Sequence, residues 1–101
     1  MQTHVLKLQK EFCEAVYNGE KTFELRFNDR GFQKGDRIRF VSMDGKERAY
    51  HPIDNDIYEI TYVLSGWGLK DMFVALSIEN IATAYSSDNT RGDQSEEADD
   101  E

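Results

Sequence analysis

The chain has 101 residues, 39% of them hydrophobic, and a formal net charge of −8 at pH 7. This size allows one folded domain with a modest core. A lone cysteine, Cys13, excludes an internal disulfide and a cysteine-based zinc cluster. No apolar signal region follows Met1 and no apolar run reaches the ~18 residues of a membrane span. We therefore expect a cytoplasmic, reduced protein without a membrane partner.

The acidity is concentrated at the C-terminus. Residues 83–101 contain seven acidic residues and one arginine, whereas residues 1–82 contain thirteen acidic and eleven basic residues. The C-terminal segment has no Val, Ile, Leu or Phe, so it cannot bury enough apolar surface to offset the entropy cost of ordering. The sequence therefore predicts a folded domain at residues 1–82 and a disordered acidic tail at residues 83–101.

The domain begins with a predicted strand and a predicted helix. The segment HVLKLQ, residues 4–9, has the alternation of a short strand. The segment KEFCEAVYNGE follows, and one helical stripe holds its apolar residues Phe12, Cys13, Val16 and Tyr17. Gly19 stands where a helix needs a left-handed C-terminal cap. We therefore expect Cys13 to be a packing residue and not a nucleophile.

The next segment, TFELRF, alternates with period two, which is typical of a strand. The pattern predicts that Phe23, Leu25 and Phe27 face the core. Glu24 and Arg26 are then expected on the opposite, solvent-facing side. The polar segment NDRGFQKGD that follows contains two glycines and predicts a loop with a tight turn.

The segment RIRFVSM predicts a third strand, with Ile38 and Phe40 inward and Arg37 and Arg39 outward. Asp44-Gly45 follows it and is a strong hairpin signal. The insert ERAYHPIDND, residues 47–56, is expected to be a surface loop of unassigned role.

Two further strands complete the domain. IYEITYVL is rich in β-branched and aromatic residues, and period two places Tyr58 and Tyr62 on one face. SGWGLKD breaks this strand, and MFVALSIENI is predicted to be a last buried strand. Five to six short strands around one main helix favour an α+β fold, a small mixed barrel or a strongly curved sheet.

The segment GEKTFELR, residues 19–26, resembles the Gly-x-Lys-x-x-Glu-x-Arg signature of ASCH domains, which belong to the PUA-like superfamily. FQKGDRIRF extends the match, and residues 4–79 resemble the DUF3850 family of bacterial and phage proteins. The resemblance implies a PUA-like, ASCH-type pseudo-β-barrel. It also implies a cleft between the helix and the signature strand, where such domains bind RNA or modified nucleotides.

The first functional hypothesis is therefore an RNA-binding or nucleotide-binding module. In it, Lys21, Arg26 and Arg39 contact phosphate, and Glu24 contacts a base or orients the cations. Trp67 stacks on a base with Lys70 nearby, as in single-strand binders. The alternative for Trp67 is that it caps one end of the barrel core.

Two other hypotheses remain open. One is a small amidohydrolase or nuclease acting on a modified nucleoside or RNA through Lys21, which the resemblance makes the nucleophile or base. Glu24 then occupies the position of the family's threonine, and Glu59 and Glu79 are the candidates for its distant glutamate. Because a nearby carboxylate favours the charged form of lysine, we favour binding over catalysis.

The remaining hypothesis is a phage-type protein-binding module whose acidic tail mimics nucleic acid. No cofactor and no metal are expected under any of the three, because His4 and His51 have no companions at ligand spacing. The sequence also has no phosphate-binding glycine-rich loop, since SGWGLKD lacks the Gly-Lys-Ser/Thr ending.

Overall fold

A computed structural model describes residues 1–83 of the chain. The elements are β1 (Thr3–Gln9), α1 (Lys10–Tyr17), β2 (Phe23–Phe27), β3 (Arg37–Asp44), β4 (Glu47–Arg48), β5 (Asp56–Ser65) and β6 (Phe73–Thr83), with a 3₁₀ helix at Pro52–Asn55. Apart from Thr83, the predicted tail at residues 83–101 lies outside the described residues. Within that described part, every helix is too short and too polar to cross a bilayer.

The strands form one mixed sheet in the order β1-β3-β5-β6-β2, and β4 pairs with the end of β3. β1 and β3 are parallel, and the other neighbours are antiparallel. The sheet curls until its two edge strands approach each other. There, Arg26 on β2 donates from Nη2 to the Lys7 carbonyl oxygen on β1 at 2.8 Å, and Arg30 donates to the Val5 carbonyl oxygen at 3.2 Å. The predicted α+β class, with six curled strands and one main helix, is confirmed.

The core lies inside this half-barrel and is closed by α1. β1, the first part of β5 and the first part of β6 alternate between more and less buried positions, as half-buried strands do, whereas β3 is buried on both faces at residues 40–43. As predicted, Ile38 and Phe40 are buried, and so is Cys13. The predicted helical stripe is only partly correct, since Cys13 and Val16 are buried but Phe12 and Tyr17 remain about half exposed.

The predicted orientation of β2 is wrong. Glu24 is buried, and the apolar residues Phe23, Leu25 and Phe27 are about half exposed. Glu24 pairs in register with Leu76 of β6, whose side chain lies in the core. Directly opposed residues share a face, so Glu24 points inward with Leu76. The period-two alternation of β2 was therefore predicted correctly, but the pairing of β2 with β6 decides which set of side chains faces the core.

The predicted shared face of Tyr58 and Tyr62 is also wrong. The register between β5 and β6 shifts between Ile60 and Tyr62, which is a β-bulge that reverses the alternation. Tyr58 is buried, Tyr62 is 57% exposed, and Val63 packs against the core instead.

The insert at residues 47–56 is more than a surface loop. It contains β4, which forms the predicted Asp44-Gly45 hairpin with β3, and a 3₁₀ helix whose Ile53 is fully buried. The Asp54 carboxylate accepts from the Ser42 backbone N–H at 2.8 Å and lies 3.2 Å from Arg48 Nη2. These contacts hold the insert to β3.

Candidate functional site

The end of α1 places Lys21 at the entrance to β2. Gly19 adopts φ +86 and accommodates the left-handed turn predicted for the helix cap. The Asn18 N–H donates to the Glu14 carbonyl oxygen at 2.9 Å, and the Lys21 N–H donates to the Ala15 carbonyl oxygen at 2.9 Å. Backbone hydrogen bonds therefore fix the chain from the end of α1 up to Lys21.

Lys21, Glu24 and Arg26 form one ion cluster on the inner side of β2. The Lys21 ammonium lies 3.5 Å from Glu24 Oε2, and Arg26 Nε lies 3.3 Å from Glu24 Oε1. The Glu24 carboxylate is buried, whereas both cations keep about a fifth of their side chains exposed. The three signature residues therefore lie together, with the carboxylate on the inside and two cations over it, and their roles in binding stay predictions.

The contacts of Lys21 are those of a charged ammonium. Its Nζ donates to the Phe23 carbonyl oxygen at 2.8 Å. Nζ also lies 4.7 Å from the ring centroid of Phe23 and 5.5 Å from that of Phe12. A carboxylate, a carbonyl oxygen and two ring faces all stabilise a cation. The positive charge of Lys21 is therefore already in contact with protein groups.

A pocket of about 200 Å³ opens beside this cluster, between the end of α1 and the β5–β6 pair. Its walls are Val16, Tyr17 and Gly19 from the helix end, Lys21 and Thr22 from the start of β2, and Tyr58, Ile78, Glu79 and Asn80 from the sheet. Lys21 is thus shared between the ion cluster and the pocket.

The polar part of the pocket wall is centred on Tyr58. Its buried hydroxyl lies beside Asp56 and Asn80 and falls short of a full hydrogen bond with either. Burial, together with the negative charge of Asp56, raises the pKa of Tyr58 to about 12, so the hydroxyl stays protonated at neutral pH. Burial also raises the pKa of Asp56. The hydrogen bonds that Asp56 accepts from Thr83 and Asn80, both 3.0 Å long, lower this pKa but do not outweigh burial. The pocket wall thus contains a hydroxyl that lacks a full hydrogen bond, next to an amide held by Asp56.

Three predicted site residues lie away from this cluster. Arg39 pairs in register with Val5 on the outer side of the sheet, and β5 and β6 separate its strand from β2. Trp67 and Lys70 lie in the turn between β5 and β6, at the end of β2 opposite Lys21. Trp67 is 90% exposed, so the interpretation of Trp67 as a core cap is wrong. Its stacking on a base stays a prediction, as do the binding roles of Arg39 and Lys70.

Sequence reasoning missed the part that Tyr58 and Asn80 play in the pocket. They face each other across β5 and β6, and only the strand pairing shows that they meet Lys21. Of the two glutamates considered for catalysis, Glu79 lines the pocket, and Glu59 is its cross-strand partner.

The other reactive side chains are held in structural contacts. Burial raises the pKa of the Cys13 thiol to about 11, with further contributions from the charges of Asp54 and Glu24. His4 Nε2 lies 2.9 Å from Asp36, and His51 Nε2 lies 3.0 Å from Glu14. Across residues 1–83, no group of three or more His, Cys, Asp or Glu side chains is arranged to hold a metal ion.

Comparison with known proteins identifies a family. The crystal structure of hypothetical protein PH0355 is similar at 21% identity and a TM-score of 0.49, over 80% of this chain and 100% of that one. Among curated proteins, none matches the sequence. The model of a domain of unknown function, DUF3850, matches residues 3–78, which run from the start of β1 to the middle of β6. Since this match covers about three quarters of the sequence, the chain belongs to the DUF3850 family.

Proposed function

We propose that the chain binds a nucleotide, either free or within a single-stranded RNA, with the base in the pocket beside Lys21. The observation that carries the proposal is the pocket that Lys21 of the ion cluster lines together with Tyr58, whose buried hydroxyl has only incomplete contacts with Asp56 and Asn80. A ligand that accepts a full hydrogen bond from Tyr58 recovers part of the roughly 1–3 kcal/mol that an unpaired buried polar group costs.

The size and lining of the pocket suit a planar ring. At about 200 Å³, it is smaller than the roughly 300–1,000 Å³ of sites for drug-sized ligands, so it suits a base better than a whole nucleotide. Val16 and Ile78 supply apolar walls. The Tyr58 hydroxyl supplies a donor, and the Asn80 amide, which donates to Asp56 from Nδ2, retains a carbonyl acceptor. A donor beside an acceptor matches the edge of a nucleobase.

The ion cluster supplies the charge for a phosphate. Lys21, Glu24 and Arg26 together carry a net charge of +1 beside the pocket. The rest of the domain is close to neutral, with thirteen acidic and eleven basic residues in residues 1–82. Binding therefore depends on these local cations and not on a broad basic surface. The resemblance of GEKTFELR to the ASCH signature supports the same ligand class.

The test compares matched variants of the full chain at low salt, because phosphate contacts weaken as salt rises. Fluorescence anisotropy measures the affinity for a short labelled single-stranded RNA, and calorimetry measures the affinity for cytidine and N4-acetylcytidine. Lys21→Ala is expected to weaken RNA binding about 10-fold or more. Tyr58→Phe is expected to weaken binding of both RNA and nucleoside about 3- to 10-fold.

Lys46→Ala is the matched control, since Lys46 is an exposed lysine in the β3–β4 turn. It should bind both ligands as the wild type does. Equal losses in Lys21→Ala and Lys46→Ala would show that binding is a nonspecific charge effect and would contradict the proposal. RNA binding that is unchanged by Tyr58→Phe would place the base elsewhere.

A second candidate is hydrolysis of an acylated cytidine, favoured by the presence of Lys21 and Glu79 in one pocket. The contacts of Lys21 with Glu24 and the Phe23 carbonyl oxygen stabilise its ammonium, whereas a nucleophilic lysine must be neutral. Chromatography of N4-acetylcytidine incubated with the chain separates the two functions. Release of cytidine that Lys21→Ala abolishes identifies an enzyme, and binding without release identifies a binding module.

A further inference from the structure

The outer side of the sheet, opposite the core, has an uncharged apolar surface on β5, β6 and β2. We call it the outer apolar face, and its larger residues are Phe23, Leu25, Phe27, Tyr62, Leu64 and Phe73. It exists because β2 turns Glu24 and Arg26 inward and because the bulge in β5 turns Tyr62 outward.

The strand register places these residues side by side. Phe23 pairs with Ser77, which pairs with Tyr62, and Leu25 pairs with Ala75, which pairs with Leu64. At the end of β2, Phe27 pairs with Phe73, and the two rings meet edge to face at 5.6 Å. Since opposed residues share a face, the rows make one continuous surface.

The turn between β5 and β6 adjoins this face at its end. Trp67 and Met72 are both exposed, and both adopt the left-handed backbone region, with φ 54 and φ 69. That conformation costs about 1–2 kcal/mol for a residue with a Cβ. The Asn28 N–H donates to the Met72 carbonyl oxygen at 2.8 Å, which holds the turn against the end of β2. Two large apolar side chains are thus presented to solvent on a strained backbone.

The size of this surface is that of a protein interface. Its half-exposed residues, with Trp67 and Met72, present on the order of 700 Å², since a large aromatic side chain offers roughly 150–250 Å². The largest apolar patch of a typical monomer is about 300–600 Å², and a standard stable interface covers about 800 Å² on each partner. Its rows contain no charged residue, and the nearest charged residues lie at its margins, where Glu59 and Glu79 form the next cross-strand pair beside Lys21 and where Lys70 and Asp71 stand in the turn.

We propose that the outer apolar face binds the same face of a second copy of this chain around a two-fold axis perpendicular to the strands. A surface without charge is complementary to itself, and a two-fold contact joins the same patch on both copies. Two sheets packed this way bury both faces in a shared core.

The positions of the two Thr83 residues are compatible with this geometry. β6 runs from the Trp67 turn to Thr83, where the described chain ends, a length of roughly 36 Å for its strand. A two-fold axis perpendicular to the strands makes the two β6 strands antiparallel, so the two Thr83 residues lie at opposite ends of the dimer. Their separation exceeds the Debye length of about 10 Å. The acidic sequences that follow Thr83 therefore start too far apart to oppose this arrangement by charge repulsion.

Sedimentation equilibrium of the full chain over a concentration series tests the proposal. The wild type is expected to reach twice the mass of the chain. Leu25→Asp, in the middle row of the face, is expected to raise the dimer dissociation constant by about 30-fold or more. Tyr50→Asp is the matched control, since Tyr50 is an exposed aromatic outside the face that packs on Arg48 at 4.8 Å. It should dimerise as the wild type does.

A second measurement keeps the test independent of variant folding. In a mixed dimer of labelled and unlabelled wild-type chains, isotope-filtered NMR is expected to show contacts of Leu25 and Phe27 with the other copy. A chain that stays monomeric at all concentrations overturns the proposal, as does a dimer that Leu25→Asp leaves intact. A monomer whose outer aromatic signals shift with single-stranded RNA also overturns it and assigns the face to nucleic acid.

Discussion

Glu24 and Leu25 are neighbours on β2 that face opposite sides of the sheet, with Glu24 only 4% exposed and Leu25 53% exposed. The usual distribution of charge and hydrocarbon is therefore reversed on this strand. Lys21 and Arg26 compensate the buried carboxylate, and Leu76 of β6 packs on the same side. The reversal puts a polar cluster beside the pocket and an apolar surface outside, so one strand underlies both proposed binding sites.

The buried carboxylate of Glu24 is expected to be important for stability. Glu24→Gln removes the negative charge that Lys21 and Arg26 share. Removing one charge of a buried ion pair costs up to about 3–5 kcal/mol of stability. Because Lys21 and Arg26 are both partly exposed, the cost here is smaller, and we expect the free energy of unfolding to fall by about 2–3 kcal/mol. Urea unfolding followed by circular dichroism measures it. Glu20→Gln, an exposed neighbour, should change the free energy of unfolding by less than about 0.5 kcal/mol. Equal effects of the two substitutions would contradict the inward orientation of Glu24 on β2.

The contact between the two sheet edges is expected to depend mainly on Arg26. Arg26 donates to the Lys7 carbonyl oxygen and contacts the buried Glu24, whereas the more exposed Arg30 donates to the Val5 carbonyl oxygen and has only a 3.9 Å contact with the exposed Asp29 besides. We expect Arg26→Ala to lower the free energy of unfolding by about 1.5–3 kcal/mol, as for hydrogen bonds to charged groups. Arg30→Ala should cost no more than about 1 kcal/mol. Hydrogen exchange of the β1 amides should increase more in Arg26→Ala, and the opposite order would contradict the closure described here.

The Cys13 thiol is expected to resist modification in the native protein. Its pKa is raised to about 11 by burial and by the charges of Asp54 and Glu24, and the thiolate is the reactive form. At pH 8, a thiol reagent such as DTNB should therefore react only through unfolding. The rate is expected to rise steeply with urea through the unfolding transition. Rapid reaction in the absence of urea would show that Cys13 is accessible and contradict its place in the core.

The stability of the fold is expected to fall in acid partly through Asp36. Burial works to raise the pKa of this carboxyl, but hydrogen bonds from the His4 ring and from the backbone N–H groups of Gln2 and Gln33 outweigh burial and hold it below its ordinary value. A lowered pKa stabilises the folded state above the unfolded pKa of about 3.9, and the stabilisation is lost as pH falls through the folded value.

Urea midpoints between neutral pH and about pH 2 measure this dependence. Asp36→Asn is expected to be less stable than the wild type at neutral pH and to lose less stability below about pH 4. The control is Asp44→Asn, which removes an exposed carboxylate paired with Lys10 at 3.2 Å. It should keep the acid dependence of the wild type. If Asp36→Asn lost stability in acid as the wild type does, the contact between His4 and Asp36 would not contribute to the pH dependence of stability.

Much of the fold follows from local sequence patterns. The strands, the helix end at Gly19 and the Asp44-Gly45 hairpin were predicted because glycine, turn residues and apolar periodicity act locally. The face of β2 was not predicted, because alternation shows that Phe23 and Glu24 lie on opposite sides but not which side is inside. That choice depends on pairing with β6.

The site was predicted only in part, for the same reason. Lys21, Glu24 and Arg26 are close in sequence, and the structure keeps them together. Tyr58 and Asn80 join Lys21 only through the pairing of β5 with β6. The bulge in β5, which separates Tyr62 from Tyr58, has no marker such as glycine in IYEITYVL. Long-range pairing is the information that a single sequence lacks.

The central claim is that the pocket beside Lys21 binds a nucleotide base, and an amide NMR titration of the full chain tests it most directly. Cytidine, N4-acetylcytidine and a short single-stranded RNA are added separately at low salt. We expect shifts at Lys21, Thr22, Tyr58 and Asn80 with all three ligands, and none at Lys46. Unchanged pocket signals with every ligand, or shifts confined to other surfaces, would contradict it.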